Sequence, residues 1–334
     1  MLKKILLALL ASSLLLPAAE AAKPPRSGKA AVAKQSRAAK PVAKPMRSLT
    51  TSAKSVSQRV RPTRITRALA AQIPDDPAHL AVKSTSALVI EQGEGRTLYA
   101  KNIDAVVPIA SITKLMTAMV VLDAQLNLRE GVTITEDDVD LLKHTRSRLK
   151  IGAVLERDDL LRLALMASEN RAASALGRTY PGGLGAFVAA MNRKAGDLGM
   201  TRTRFVDSSG LSSDNVSTAQ DLAKMVVAAH RYPLIQEFTT LQSYVVHTSE
   251  GRALAFRNTN GLMKDDAWHI DVSKTGYISE AGRCLVMQAR IAAKPVIIVL
   301  LDSWGRYTRI GDANRIKKWI ENPLAQHARV DLKD

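Results

Sequence analysis

Short apolar runs mark both ends of the folded part of the chain. Residues 87–90 and 97–100 form two such runs, separated by a glycine-containing turn. This arrangement predicts a β-hairpin. Two further β-rich runs, residues 283–290 and 295–301, lie near the C-terminus. The sequence therefore predicts a sheet that is built from both ends of the domain.

Between these runs the apolar positions follow the helical period. The predicted helices cover residues 111–124, 157–167, 172–176, 184–198 and 218–229. The helix at 111–124 is apolar almost all round, which predicts that it is buried. Thr218 and Asp221 provide a capping-box-like start for the last of the five helices. One more helix, containing Ile310, Ile316 and Trp319, is expected after the final strand.

The first 21 residues have the pattern of a signal peptide. Lys3 and Lys4 precede an apolar run at residues 5–16, and Ala19 and Ala21 form a small-residue cleavage pattern. The apolar run is too short to span a bilayer. We therefore predict an exported protein with a periplasmic location.

Residues 22–74 form a basic arm. They contain 13 Lys and Arg residues and no Asp or Glu, and are rich in Ala, Ser, Pro and Thr. Such a composition buries too little apolar surface to offset the entropy of ordering, so the arm is predicted to be disordered. Its charge suits an anionic membrane or wall surface. A spacer without a partner and a nucleic-acid-binding tail are the alternatives, and export weighs against nucleic acid.

The remaining chain divides into a predicted catalytic domain at residues 75–321 and a tail at residues 322–334. The whole chain has one cysteine, Cys284, which excludes an intramolecular disulfide. Cys284 lies in an apolar strand-like run, so we expect it to pack in the core.

Ser111 and Lys114 are the first candidate catalytic residues. The sequence lacks the G-x-S-x-G, H-E-x-x-H and C-x-x-C motifs, which leaves an esterase-type triad and metal hydrolysis without support. Neither a metal nor a cofactor is expected. Ser111 opens a predicted helix, and Lys114 follows on the same face one turn later. Burial of Lys114 disfavours its ammonium form and makes it a usable base.

The S-x-x-K spacing alone is weak, since about one match is expected by chance in a chain this long. A second match, Ser147 with Lys150, lies in a polar, Arg-rich segment, and we interpret it as a solvated loop.

Two later motifs add weight to Ser111. Ser168 and Asn170 follow the predicted helix at 157–167, where a hydroxyl can relay a proton and an amide can hold a substrate carbonyl. The literal S-D-N match at residues 213–215 lies in a Gly/Ser-rich loop and is not favoured. Further on, Lys274 can add positive charge, Thr275 can bind a carboxylate, and Gly276 allows a ligand backbone to approach.

The ordered motifs at Ser111, Ser168 and Lys274 resemble those of the penicillin-recognising serine hydrolases. Within that group the chain is similar to low-molecular-mass penicillin-binding proteins of the D-Ala-D-Ala carboxypeptidase and endopeptidase branch, over roughly residues 80–320. The resemblance implies an α+β fold of the β-lactamase/transpeptidase type. Its mainly antiparallel sheet is flanked by helices, with an all-helical subdomain and the active site in the cleft between them.

The resemblance also implies a mechanism. Ser111, activated by Lys114, attacks a D-alanyl carbonyl, and Ser168 relays the proton to the leaving amine. The implied substrate-binding residues are Asn170, Lys274, Thr275, Gly276, Tyr277 and Arg306. Backbone N–H groups of Ser111 and Tyr277 would form the oxyanion hole. Arg306 is implied as a carboxylate binder, with an exposed helix-start arginine as the alternative.

Carboxypeptidases of this branch commonly carry a further β-rich domain and an amphipathic C-terminal anchor, and we expect neither here because few residues follow the last predicted helix. The sequence therefore favours a D,D-endopeptidase that cleaves D-Ala to diaminopimelate cross-links in peptidoglycan. D-Ala-D-Ala carboxypeptidase is the alternative, followed by a class A-like β-lactamase and a basic nucleic-acid-binding protein. Expected partners are peptidoglycan peptides and β-lactam antibiotics as covalent inhibitors, and no nucleic acid is expected.

Overall fold

The computed structural model describes residues 80–248 and 251–322. The predicted leader at 1–21, the basic arm at 22–74 and all but the first residue of the tail at 322–334 lie outside the described residues. The same is true of residues 75–79 of the predicted catalytic domain.

The described residues form strands and helices in the order expected of a mixed fold. The strands are β1 Ser86–Glu91, β2 Arg96–Lys101, β3 Val107–Pro108, β4 Gly131–Thr133, β5 Val154–Glu156, β6 Val216–Ser217, β7 Ser243–His247, β8 Ala253–Arg257, β9 His269–Ile278, β10 Gly282–Ile291 and β11 Lys294–Ser303. The α-helices are α1 Thr113–Asp123, α2 Arg157–Met166, α3 Asn170–Arg178, α4 Gly183–Asp197, α5 Ala219–Ala229, α6 Pro233–Thr240 and α7 Thr308–Glu321. Short 3-10 turns occupy Ala110–Ile112, Glu136–Asp138 and Gly261–Lys264.

The main sheet has five antiparallel strands in the order β2-β1-β11-β10-β9. The predicted hairpin at 87–90 and 97–100 is the β1–β2 pair, and the predicted runs near the C-terminus are β10 and β11. The first and last strands of the described residues pair directly, because β1 lies beside β11. The prediction of a sheet built from both ends is therefore confirmed, as is the α+β class.

Both faces of this sheet are covered. Leu88 and Val299 lie opposite each other and face the helical layer, while Val89 and Ile298 face the other side, where α7 packs. This follows from the period-two alternation of side chains along a strand. Because both faces are buried, the strands contain nearly continuous Val, Ile and Leu runs instead of alternating polar positions.

Helix α1 runs through the centre of the helical layer. Every residue from Thr113 to Val121 is buried, and the helix contacts α2, α3, α4 and α5. This confirms the burial predicted from its uniformly apolar surface. Lys114 is thereby carried into the interior at the start of the helix.

Several helix predictions hold with shifted ends. The predicted helix at 172–176 extends over Asn170–Arg178, and the one at 111–124 begins as a 3-10 turn. At α5, the Thr218 hydroxyl accepts a hydrogen bond from the Asp221 N–H, at 3.2 Å. The Asp221 carboxylate accepts from the N–H of Arg202, so this carboxylate also joins the helix start to the preceding loop.

The sequence prediction lacked α6 and the β7–β8 hairpin. Helix α6 has only eight residues and follows α5 closely, starting at Pro233, so it is too short to show a helical period. The hairpin strands have five residues each.

Cys284 is fully buried in the sheet, which confirms the core prediction. Burial raises the pKa of its thiol to about 12. Within residues 80–248 and 251–322, no helix has the length and apolar character needed to cross a membrane.

Candidate active site

Ser111 lies in the 3-10 turn Ala110–Ile112, which leads directly into α1. Its neighbour Ala110 has φ of 49°. This left-handed conformation costs an L-residue about 1–2 kcal/mol, so the surrounding structure must hold it in place. The serine thus lies at the start of the helical segment, as the sequence predicted, but on a strained 3-10 turn instead of the first turn of the α-helix.

Two glycines allow the chain to pack against this turn. Gly210 has φ of +80°, and a Cβ at this position would lie 2.0 Å from the Ala110 carbonyl oxygen. A Cβ at Gly276 would lie 2.8 Å from the carbonyl oxygen of Ile109 and 3.2 Å from the nitrogen of Ser111. A side chain at either position would push the turn away from its neighbours. Gly276 therefore lets β9 lie directly against the backbone of Ser111.

Lys114 is fully buried beneath Ser111. Its Nζ lies 2.8 Å from Ser111 Oγ, 2.8 Å from Asn170 Oδ1 and 2.6 Å from the carbonyl oxygen of Ser209. A neutral amine has two N–H groups and one lone pair. The amide and carbonyl oxygens can only accept hydrogen bonds, so they take both N–H groups. The lone pair of Lys114 is left facing the Ser111 hydroxyl.

The electrostatics of Lys114 suit a base at neutral pH. Burial lowers its pKa from 10.5 to about 7, while the carboxylates of Asp207, Glu169 and Asp140 act in the opposite direction. Burial favours the neutral amine because the ammonium loses its hydration. A large fraction of Lys114 is consequently unprotonated at pH 7.

Lys274 lies on β9 and is also fully buried. Its Nζ donates to Ser168 Oγ at 2.7 Å and to the carbonyl oxygen of Thr275 at 2.9 Å. Burial lowers the pKa of Lys274 well below its usual value, and the positive charges of Lys114 and Arg309 lower it further. The structure thus places two buried lysines in one site, each bound to a different serine.

Ser168 and Asn170 stand between α2 and α3. Ser168 has φ of 60°, and Asn170 is the first residue of α3. Their side chains reach different lysines, since Ser168 binds Lys274 and Asn170 binds Lys114. The second motif therefore contacts both of the others, since Asn170 binds Lys114 of the first motif and Ser168 binds Lys274 of the third.

A cleft of about 270 Å³ opens above these residues. It is lined by Ser111, Ser168, Asn170, Thr259, Thr275, Gly276, Tyr277, Arg283 and Arg309. Every predicted site residue except Arg306 either lines this cleft or, like Lys114 and Lys274, lies buried against its lining. Sequence reasoning missed Thr259, whose hydroxyl accepts a hydrogen bond from the Thr275 hydroxyl at 2.6 Å.

Arg306 lies away from the cleft lining. Its side chain is exposed, and its guanidinium lies over the Tyr307 ring at 5.4 Å from the ring centroid. Arg309, one turn later, lines the cleft instead. Its Nε and Nη1 atoms are buried without a hydrogen-bond partner in the described part of the chain. A buried guanidinium in this state is suited to an anionic ligand.

The alternative serines, Ser147 and Ser213, take no part in the hydrogen bonds of Lys114 and Lys274 given above. Ser147 Oγ accepts from the N–H of Leu149, at 3.0 Å, which is a local turn contact. Ser213 belongs to the loop before β6, in which the buried Asn215 side chain accepts from the N–H of Val206 and donates to Thr113. This loop presents the Ser209 carbonyl to Lys114, so it helps to hold the Lys114 side chain in place.

Curated relatives of this chain carry cell-wall peptidase names. It is 49% identical to a D-alanyl-D-alanine endopeptidase of Pseudomonas aeruginosa over 246 residues, which are 73% of this chain and 79% of the relative. A D-alanyl-D-alanine endopeptidase of Escherichia coli is 46% identical over 72% of this chain and 78% of its own.

Solved structures with a similar fold include a DD-transpeptidase and a penicillin-binding protein. The Streptomyces K15 DD-transpeptidase superposes with a TM-score of 0.67 at 30% identity, covering 72% of this chain and 97% of the other. Penicillin-binding protein D2 from Listeria monocytogenes, in its ampicillin-bound form, gives a TM-score of 0.62 at 31% identity over 73% of this chain and all of the other. A family model described as D-alanyl-D-alanine carboxypeptidase, Peptidase S11, matches residues 70–305. The chain therefore belongs to the S11 family of serine D-alanyl-D-alanine peptidases.

Proposed function

We propose that this protein is a D-alanyl-D-alanine endopeptidase that cleaves D-Ala to diaminopimelate cross-links in peptidoglycan through an acyl-enzyme on Ser111. The observation that carries the chemistry is the position of Lys114 Nζ, 2.8 Å from Ser111 Oγ and in contact with two acceptor oxygens that take its N–H groups. The choice of endopeptidase is supported by the names of the 49% and 46% identical relatives.

Acylation begins when Ser111 Oγ attacks the D-alanyl carbonyl and passes its proton to Lys114 Nζ. The negative charge that develops on the carbonyl oxygen is stabilised by the backbone N–H groups of Ser111 and Tyr277. The close packing of Gly276 on Ser111 supports this role, because it brings the two backbone segments together.

Collapse of the tetrahedral intermediate releases the leaving amine, which must gain a proton. Ser168 is suited to relay it, since its hydroxyl lines the cleft and binds Lys274. The bond between the D-alanyl carbonyl carbon and the amine breaks, and the ester to Ser111 remains. Lys114, having given up its first proton for the leaving amine, then accepts a proton from the water that attacks this ester. It returns that proton to Ser111 Oγ as the ester bond breaks, which releases the D-alanyl carboxylate and restores the free serine.

The leaving residue carries a carboxylate next to its amine in both substrate classes, since it is either a terminal D-Ala or the D-centre of diaminopimelate. We assign this carboxylate to Arg309 and Thr275. The buried, unpartnered nitrogens of Arg309 support the assignment. Because both substrates present the same group, this contact recognises the bond type and does not distinguish endopeptidase from carboxypeptidase.

Carboxypeptidase activity is the second candidate. It is favoured by the description of the matching family and by a carboxypeptidase of Bacillus subtilis, 31% identical over 68% of this chain. We further propose export to the periplasm, based on the leader pattern at residues 1–21, and salt-sensitive contact of the basic arm at 22–74 with anionic wall or membrane material.

Digestion of purified muropeptides with product identification tests this proposal. Conversion of cross-linked dimers to monomers faster than removal of terminal D-Ala from pentapeptides is the expected result. Faster pentapeptide trimming with surviving dimers would assign a carboxypeptidase, and rapid penicillin turnover with unchanged muropeptides would assign a β-lactamase.

The role of Ser111 is tested separately with a fluorescent penicillin. Ser111→Ala should abolish covalent labelling, while the matched variants Ser147→Ala and Ser213→Ala should label normally. Persistent labelling of the folded Ser111→Ala protein would refute the nucleophile assignment.

A further inference from the structure

A buried carboxylate organises the turn at residues 140–145, beside the catalytic cleft. Asp140 Oδ1 accepts from the backbone N–H groups of Leu142 and Lys143, each at 2.9 Å. Its Oδ2 accepts from the N–H of Thr145 at 2.9 Å and from the Thr145 hydroxyl at 2.6 Å. These four bonds fix a segment in which His144 has φ of 53°. The carboxylate therefore holds Thr145 in one position and one orientation.

The hydroxyl of Thr145 connects this turn to the active site. A hydroxyl has one hydrogen, and Thr145 donates it to Asp140, because a carboxylate can only accept. The Thr145 oxygen must then accept the hydrogen bond from Asn170 Nδ2, which lies 3.0 Å away. This hydrogen bond orients the side-chain amide of Asn170 so that its Nδ2 faces Thr145. Its Oδ1 consequently points at Lys114.

The orientation of this amide matters for the base. Asn170 Oδ1 accepts one N–H of Lys114 at 2.8 Å, and this contact helps to turn the lone pair of Lys114 toward Ser111. If the amide rotated by half a turn, its NH₂ group would face Lys114 and could only donate. It would then take the lone pair of Lys114 away from Ser111 instead of accepting one of the Lys114 N–H groups. Asp140 and Thr145 oppose that rotation without touching the reacting atoms.

We propose that Asp140 and Thr145 are positioning residues for acylation, acting through Asn170 to align Lys114 with Ser111. This inference rests on the proposed function of Ser111 and Lys114. It assigns a purpose to a turn that none of the three catalytic motifs contains.

The charge of Asp140 has a second, separable effect. Lys114 is faced by the carboxylates of Asp207, Glu169 and Asp140, and by the cationic side chain of Lys274 from β9. The carboxylates stabilise the ammonium form of Lys114. Loss of the Asp140 charge should therefore move the acid limb of the acylation rate to lower pH, because Lys114 would deprotonate more readily.

The test compares Thr145→Val with Thr145→Ser by measuring the rate of acylation with a fluorescent penicillin between pH 5 and pH 9. Thr145→Val is nearly isosteric but lacks the hydroxyl, and we expect acylation to slow about fivefold to tenfold, as for a lost hydrogen bond. The acid limb should stay at the wild-type pH, since no charge changes. Thr145→Ser keeps the hydroxyl and should restore most of the rate.

Two further variants separate positioning from general support of the turn. In an Asn170→Ala background, the additional Thr145→Val change should slow acylation by less than twofold, because the group that transmits the effect is gone. Asp140→Asn should shift the acid limb to lower pH, while Thr145→Val does not. Thermal unfolding of each variant shows whether the fold is retained.

Three results would overturn the inference. They are a wild-type acylation rate for Thr145→Val, an equal loss for Thr145→Ser and Thr145→Val, or the full Thr145→Val loss on top of Asn170→Ala. In each case Ser111→Ala still reports independently on the proposed function. If Ser111→Ala loses labelling and any of these three results is also found, the positioning role of Asp140 and Thr145 is rejected and the proposed function of Ser111 stands.

Discussion

One fully buried lysine lies on each side of the cleft, Lys114 on the helical side and Lys274 on the sheet side. The charges around the two lysines are opposite in sign. Lys114, at the start of α1, is faced by the carboxylates of Asp207, Glu169 and Asp140. The strongest charges acting on Lys274, on β9, are the cations Lys114 and Arg309. Burial lowers the pKa of both lysines. On the helical side the carboxylates limit this shift, and on the sheet side the neighbouring cations increase it.

This difference in charge suits the two lysines to the different roles proposed for them, a base at Lys114 and part of an anion site at Lys274. A general base works best when its pKa lies near the working pH, and the pKa of about 7 for Lys114 satisfies this condition. Lys274 is buried against the cleft and Arg309 lines it, and the charges acting on Lys274 within the described residues are positive. A substrate carboxylate would supply a negative charge on binding. In the proposed mechanism the same residue type thus serves proton transfer on one side and substrate recognition on the other.

The largest expected effect comes from replacing each lysine with arginine. Lys114→Arg keeps the positive charge but cannot accept a proton at neutral pH, so acylation by penicillin should fall by about three orders of magnitude. Lys274→Arg keeps the positive charge proposed for this position, so its rate of acylation should fall by only about tenfold. Stopped-flow acylation rates, with thermal unfolding as the folding control, make the comparison. A Lys114→Arg protein that acylates within tenfold of wild type would remove Lys114 as the base.

A smaller effect is expected when only the proposed carboxylate-binding residue Arg309 is changed. Arg309→Ala should lower kcat/KM about tenfold or more for a peptide ending in D-Ala-D-Ala, since a charged hydrogen bond in a partly buried site is lost. For the C-terminal amide of that peptide, kcat/KM of the same variant should fall only slightly. Arg306→Ala is the matched control and should stay within about twofold of wild type, because its side chain lies on the exposed surface. Equal losses for the two arginines, or equal losses on acid and amide, would contradict the assignment.

On both sides of the cleft, the sequence revealed some features and left others hidden. The buried helix with Ser111 and Lys114 and the paired strands β10 and β11 followed from periodicity and motif spacing. These features depend on neighbours a few residues apart, where pattern and local chemistry agree.

The features that the sequence did not reveal depend on distant contacts or on the geometry of one turn. Helix α7 begins at Thr308, and this start decides that Arg309 and not Arg306 lines the cleft. Asp140 and Asp207 are distant in sequence from Lys114, and only folding brings their charges near it. No local pattern distinguishes these residues from ordinary polar loop positions.

The smallest expected effect concerns a contact that joins the two sides. Lys143, in the 140–145 turn, forms an ion pair of 2.5 Å with Glu280, in the turn between β9 and β10. The Lys143 ammonium, with a smaller effect from the Ser279 hydroxyl, lowers the pKa of Glu280 to about 2. Because the folded-state pKa is depressed, the stabilisation is present above the unfolded pKa near 4.5 and is lost as the pH falls toward 2.

Glu280 is 41% exposed, so solvent screens the pair, and its contribution to the free energy of unfolding should be below about 1 kcal/mol. Lys143→Met should therefore lower the Tm by no more than about 4 °C at pH 7 and low salt. The difference should shrink in 1 M NaCl and as the pH falls from 5 to 3. Lys150→Met, an exposed lysine that follows the same turn, is the control and should leave the Tm unchanged. A larger shift for Lys143→Met that persists in high salt would show that the two sides are joined by packing at this position and not by charge.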